Sequence, residues 1–184
     1  MKQFQRGAFL LAAAFALVLA VGEAALATPK KSTLRLQSKS FVDGKNIPEK
    51  YTCNGQDFSP ELNWSGAPSK TKCFALIMED PDAPGKVFTH WILFNISPTT
   101  TNIHEEITPI VMKTGTNDYG ETGYGGPNPP SGEHRYFFRL YALDTRLPLP
   151  RGASRSEVEG AMRRHVLEES VLMGRFAASA HSQA

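Results

Sequence analysis

The stretch EDPDAPGKVFTHW, residues 79–91, places two aspartates, Asp80 and Asp82, on either side of Pro81 and ends in the pair His90-Trp91. A carboxylate accepts hydrogen bonds or meets a cation, and an imidazole can donate, accept or carry charge near neutral pH. A second stretch, GTNDYGETGYGGPNPPSGEHRYFF, residues 115–138, leads to His134 and Tyr136. Two positions apart in a strand, they share one face. Gly-Gly-Pro-Asn-Pro-Pro cannot lie in a central strand, because proline donates nothing to a ladder. It can form a rigid loop whose glycines let a ligand approach the backbone closely. Each stretch is thus a proline-stiffened loop that delivers a histidine to the start of an apolar strand. If those strands are neighbours, Asp80, Asp82, His90, His134 and Tyr136 converge at one end of a sheet.

The elements that would position them are mostly strands. LRLQS, residues 34–38, alternates and reads as a first strand. Residues 41–66 are rich in Gly, Pro, Asn and Asp and read as loop with short strands. FALIM, residues 74–78, is a continuous apolar run, as expected of a strand covered on both faces. A strict period of two sets His90, Ile92, Phe94 and Ile96 on one face, with Trp91, Leu93 and Asn95 on the other. It likewise sets Tyr136, Phe138, Leu140 and Ala142 together. One helix is expected from Ser154, with Glu157 completing a capping box. Its apolar stripe is Val158, Ala161, Met162, His165 and Val166. VLMGRF, residues 171–176, reads as a last strand. Many short strands and one late helix predict a mainly β fold, an antiparallel β-sandwich with one or two short helices near the C-terminus.

Plainer roles exist for each candidate. Either aspartate could cap a turn, His90 could be a satisfied core histidine, and Tyr136 a core aromatic. Trp91 and Phe137 read as core, and His104, His165 and His181 as structural or solvated.

Hydrophobic residues make up 41% of the 184, with Lys+Arg 20 against Asp+Glu 18, which describes an ordinary globular chain. A net charge of +2 without basic clusters excludes a large nucleic-acid surface. Residues 1–27 have the layout of a secretory signal peptide: Lys2 and Arg6, an apolar run from Ala8 to Val21, then Ala25-Leu26-Ala27. The run is short of the ~20 residues a membrane span needs. The mature chain is expected to be residues 28–184, one domain, periplasmic or secreted, with no membrane span after processing. An oxidising compartment permits a Cys53–Cys73 bridge. It would close a loop of roughly 20 residues, worth about 3 kcal/mol. Two free thiols are the alternative.

DPDAP, the following HW, and GYGGPNPPSGEHRYFFRLYALD resemble the two characteristic segments of the phosphatidylethanolamine-binding protein family, in particular its bacterial Raf kinase inhibitor-like branch. YTCNGQDFSPELNW and MRRHVLEESVLMGRF fit that branch as well, so the resemblance runs from about Ser38 to Phe176. It implies a β-sandwich with a small anion-binding pocket for phosphate-type head groups. By motif, Asp80, Asp82, His90, the Gly126-Pro127 turn, His134 and Tyr136 would form that pocket. Relatives often have cysteine where this chain has Asn128, and eukaryotic members add a C-terminal helix that is not expected here, leaving the pocket mouth more open. A phosphoethanolamine head group is zwitterionic, which accounts for acids in an anion site. Its phosphate needs imidazole, phenol or amide donors, with the amides near Gly125 and Gly126 as candidates, and its ammonium needs a carboxylate.

Three function classes follow. The leading one is an exported, non-catalytic binder of a small phosphate-type or phospholipid head-group ligand, without cofactor or metal. The second is a protein-level inhibitor of a protease or kinase. The third is a metal-dependent hydrolase using two Asp and two His, set back by the lack of a recognisable general base or nucleophile motif. The resemblance also implies a homodimer. Intact-mass measurement of exported protein is expected to give a soluble chain beginning near Thr28; an uncleaved, membrane-retained chain would contradict the signal-peptide reading.

Overall fold

The computed structural model describes residues 32–107 and 112–177. The signal-peptide segment and His181 lie outside these residues. Among those described, the chain forms β1 (Arg35–Ser38), β2 (Leu62–Ser65), β3 (Cys73–Asp80), β4 (Phe88–Ile96), β5 (Asn102–Ile103), β6 (Lys113–Thr114), β7 (Glu133–Leu143), α1 (Arg155–Met162) and β8 (Val166–Ala177). The strands make two antiparallel sheets, a small one ordered β1-β2-β5 and a large one ordered β6-β4-β3-β7-β8. The mainly β sandwich expected from the sequence is the fold observed. No helix among the described residues is long and apolar enough to cross a membrane.

Two apolar layers explain the strand sequences. Leu36, Leu62, Trp64 and Ile103 of the small sheet pack against Phe74, Leu76, Met78, Phe138 and Leu140 of the large one. On the opposite face of the large sheet, Ala75, Ile77, Ile92 and Phe94 lie under Leu147, Val158 and Met162. Being covered on both sides, every residue of β3 is buried, which is why its sequence is apolar without alternation. In β7, Tyr136, Phe138, Leu140 and Ala142 all face the inter-sheet layer, as the period of two requires.

The predicted faces of β4 hold only in the middle. Ile92 and Phe94 share the outer layer, but Ile96 joins the inter-sheet layer with Trp91 and Leu93. The register against β3 slips twice, once near each end of β4. At one slip Asn95 takes a left-handed conformation, φ 55°. Asn tolerates this geometry better than most residues. Its buried side chain accepts from the Leu147 amide at 2.8 Å and donates to the Leu147 carbonyl at 2.9 Å, fixing the covering segment to the sheet.

The helix begins as predicted. Ser154 is its N-cap, with the reciprocal Ser154–Glu157 capping box in place. It ends sooner, at Met162. His165 and Val166, assigned to its stripe by periodicity, lie outside it. Val166 instead opens β8 and pairs with Leu143, and His165 bonds Asp144. Ladder formation along the full length of β7 overrides the helical pattern in these last residues, and β8 is correspondingly longer than VLMGRF.

Candidate functional site

In an antiparallel sheet the end of one strand lies beside the starts of its neighbours. β3 sits between β4 and β7, so Asp80, where β3 ends, meets the opening residues of both. Asp80 and His134 are therefore brought together, and both are buried. His134 donates its Nδ1–H to Asp80 Oδ2 at 2.7 Å. The other oxygen, Oδ1, accepts the Asp82 amide at 2.8 Å, closing the turn of the DPDAP loop. One carboxylate thus joins the loop to the start of β7.

His90 reaches the same place by an irregularity. Trp91 pairs with Met78 and Thr89 with Glu79, which leaves His90 in a β-bulge. Bulges re-aim side chains and are frequent beside functional sites. Here the imidazole turns away from the Ile92–Phe94 face and packs edge-to-face on Tyr136, with ring centroids 5.3 Å apart. His90 is 2% exposed. Gly125 clasps it twice: its amide donates to the His90 carbonyl at 3.0 Å, and its carbonyl accepts the ring Nδ1–H at 2.8 Å. Burial is the largest influence on the ring and pushes its pKa below the ordinary histidine value.

Tyr136 is fully buried, and its hydroxyl has no partner in good hydrogen-bonding geometry, the Asn128 backbone making only a weak approach. The hydroxyl lies among Asp80, Tyr119 and Asn128. Buried polar groups are normally paired, so this orphan marks a place where a partner is expected. Beside it, a cavity of about 290 Å³ is lined by Asp80, Ala83, Pro84, Phe88, His90, Tyr119, Asn128 and Pro130.

The remaining predicted residues occupy supporting places. The Asp82 carboxylate does not line the cavity. Arg135, which points to the opposite side of β7 from His134, grips it with Nε at 2.9 Å and Nη2 at 2.7 Å, and the Arg135 amide adds a third bond at 2.9 Å. This grip lowers the Asp82 carboxyl to about 2. The Gly126 amide, expected to face a ligand, instead donates to Asp57 Oδ1 at 2.7 Å. A Cβ on Gly126 would come within 2.7 Å of the Tyr51 carbonyl oxygen, so glycine is needed for close packing of the loops. The Pro127 carbonyl accepts from the Cys53 amide at 3.1 Å. The Gly126-Pro127 turn therefore holds the 51–57 segment, and Gly125 holds His90.

Sequence reasoning missed Tyr119, Phe88 and Asp57. Tyr119 donates to the Gly126 carbonyl at 3.3 Å and stacks edge-on to Phe88, centroids 4.8 Å apart. Its origin in a glycine-rich segment without periodicity gave no signal. The Asp82–Arg135 pair was more accessible, because a carboxylate two residues beyond Asp80 and a guanidinium beside His134 are complementary neighbours.

The two cysteines are free thiols. Cys53 is at the cavity end of the molecule, 3.4 Å from the Gly126 carbonyl, whereas Cys73 opens β3 and lies 3.0 Å from the Thr145 carbonyl. Cys73 and Asp80 are seven steps apart along one strand, roughly 23 Å at about 3.3 Å per residue. A bridge requires Cα atoms within about 7 Å. The expected pairing is thus corrected: the large sheet's length separates the two sulfurs. Among the described residues no three His, Cys, Asp or Glu side chains are grouped to hold a metal ion.

A two-sheet antiparallel sandwich with an Asp–His pair and a bulged histidine around a small cavity at one sheet end defines the class of protein. The chain belongs to the phosphatidylethanolamine-binding protein family, whose model matches residues 37–177. A UPF0098 protein of Methanothermobacter thermautotrophicus is 50% identical over 148 residues, covering 78% of this chain and 98% of that one. The fold is similar to the crystal structure of a phosphatidylethanolamine-binding protein homologue from Chlamydia trachomatis, with TM-score 0.77 and 37% identity over 80% of this chain and 99% of that one. It is also similar to E. coli YbcL, described as a member of the mammalian family, with TM-score 0.75 and 29% identity over 80% and 99% of the two chains.

Because the Tyr136 hydroxyl is buried without a partner, Tyr136→Phe is expected to raise stability by about 1 kcal/mol in the absence of ligand. A higher denaturant midpoint at unchanged slope is the readout. A loss of 1 kcal/mol or more would show that the hydroxyl is satisfied within the protein.

Proposed function

We propose that the protein is an exported, non-catalytic binder of a small phosphate-type ligand, held in the cavity lined by Asp80, His90 and Tyr119. The observation that carries this reading is a small cavity with the buried Asp80 and His90 in its lining, beside the unpaired Tyr136 hydroxyl. The Tyr136 hydroxyl has no partner, and the His90 ring spends Nδ1 on Gly125, which leaves Nε2 as its second hydrogen-bonding atom. A volume of about 290 Å³ suits a head group rather than a whole lipid, since pockets for drug-sized ligands begin near 300 Å³. Of the two aspartates it is Asp80 that lines the cavity, while Asp82 is turned to Arg135.

The chemistry around the cavity supports binding over catalysis. Burial and the nearby Asp57 push the Cys53 thiol up, away from the thiolate a nucleophile needs. The Tyr119 and Tyr136 hydroxyls are also held above their ordinary range, chiefly by burial. Asp80 has both oxygens committed within the protein, unlike a free general base. Export rests on the signal-like layout of residues 1–27.

Calorimetric titration at about pH 6 tests the proposal. Inorganic phosphate and phosphoethanolamine are each expected to bind at one site. His90→Ala is expected to weaken both by about ten- to a hundred-fold, the loss of a hydrogen bond to a charged group. Unchanged affinity in the variant would place the ligands elsewhere.

A further inference from the structure

The peptide unit between Gly125 and Gly126 is bonded at both of its polar atoms to ionisable side chains. The Gly125 carbonyl accepts His90 Nδ1–H at 2.8 Å, and the N–H of the same unit, that of Gly126, donates to Asp57 Oδ1 at 2.7 Å. In a trans peptide the C=O and N–H point in opposite directions, so one rigid plane stands between the carboxylate and the imidazole. A carbonyl can only accept, which requires Nδ1 to carry the ring proton.

The plane is held on its flanks as well. The Gly125 amide donates to the His90 carbonyl at 3.0 Å. The Gly126 carbonyl accepts Tyr119 O–H at 3.3 Å and lies 3.4 Å from the Cys53 sulfur. Two glycines let these groups close in. A Cβ on Gly125 would come within 2.6 Å of the Tyr119 ring, and one on Gly126 would run into the Asp57 carboxylate. Asp57 takes a left-handed conformation, φ 56°, which Asp adopts more readily than most residues.

The charged and titratable neighbours divide between the two ends. Asp57 is exposed as a residue, yet desolvation is the largest influence on its carboxyl and raises its pKa, with the Gly126 amide opposing. Glu121 and Cys53 are also close to it. Around the His90 ring, Tyr119 and Tyr136 pack edge-on with centroids 5.7 and 5.3 Å away. Asp80 acts on this ring through space, its oxygens being bonded to the Asp82 amide and to His134.

We propose that Asp57 is a positioning residue for His90, acting through the Gly125-Gly126 peptide as a carboxylate–peptide–imidazole relay. A carboxylate on the N–H polarises the amide and makes its carbonyl a better acceptor, since hydrogen bonds in series strengthen one another by about 10–30% each. The relay fixes the neutral ring as the Nδ1–H form. Nε2 is thereby left as the acceptor nitrogen of a residue that lines the cavity. This holds whatever the cavity binds.

NMR of the ligand-free protein tests the relay. In the wild type, the Gly126 amide proton is expected to shift as the Asp57 carboxyl titrates, and the His90 ring nitrogens to report the Nδ1–H form at about pH 8. Asp57→Ala is expected to speed exchange of the Gly126 amide by at least about tenfold, through loss of a hydrogen bond to a charged group, and to bring up the Nε2–H form. Asp57→Asn keeps an acceptor for the amide. It is expected to retain the Nδ1–H form while lowering the His90 pKa, because an opposite charge is gone. A Gly126 amide indifferent to Asp57 titration would overturn the relay, and so would an unchanged tautomer in Asp57→Ala. The first of these needs no variant, so the decision does not depend on a variant folding. No ligand is present in either measurement, so failure here leaves the phosphate reading to its own titrations.

Discussion

The shared carboxylate of Asp80 is the interaction on which the cavity end depends. It is 3% exposed, and a buried carboxylate is tolerated only when its lone pairs are met. One oxygen takes the Asp82 amide and so shapes the DPDAP loop; the other takes the His134 ring and so fixes the start of β7. Outside it, Asp82 and Arg135 repeat the same join between loop and strand in a more exposed setting. An exposed ion pair contributes at most about 1 kcal/mol. The inner pair has the larger structural consequence, because removing either partner leaves the other polar group buried and unmet.

The large sheet supplies the rigidity that this arrangement needs. β3 is buried along its length, between the inter-sheet core and the layer under α1. Its end therefore cannot shift without disturbing two packed faces. The polar groups of the cavity sit at the limit of this apolar slab, where Phe88, Tyr119 and the prolines limit solvent around Asp80 and His90. Burial is the largest influence that favours the neutral His90 ring and the protonated tyrosines. The electrostatic character of the site thus derives from the fold and not from a cluster of charges.

Much of this was legible in the sequence because it follows from strand periodicity. FALIM announced a strand covered on both faces, and the spacing of His134 and Tyr136 placed them together on the inner face of β7. The Ser154–Glu157 capping box marked the helix start. What escaped was set by irregular or tertiary features. A bulge adds one residue to a strand, and no residue type near His90 reports it; the period of two therefore assigned His90 to the wrong face. The reach of Asp57 to the Gly126 amide joins segments 69 positions apart and has no local signature. The cysteines look pairable at a separation of 20 positions, yet the folded strand length between the sheet ends keeps them apart. The early helix end follows from β8 completing its ladder with β7.

The central claim is that the cavity lined by Asp80, His90 and Tyr119 receives a phosphoryl group beside the His90 ring. A crystal structure of the protein with inorganic phosphate tests this most directly. The account predicts phosphate in this cavity, with an oxygen within hydrogen-bonding distance of the His90 ring and with the Asp80–His134 pair intact. Phosphate bound only in the separate groove at the start of α1 lined by Lys86, Ser154 and Arg155, with no density beside His90, would contradict it.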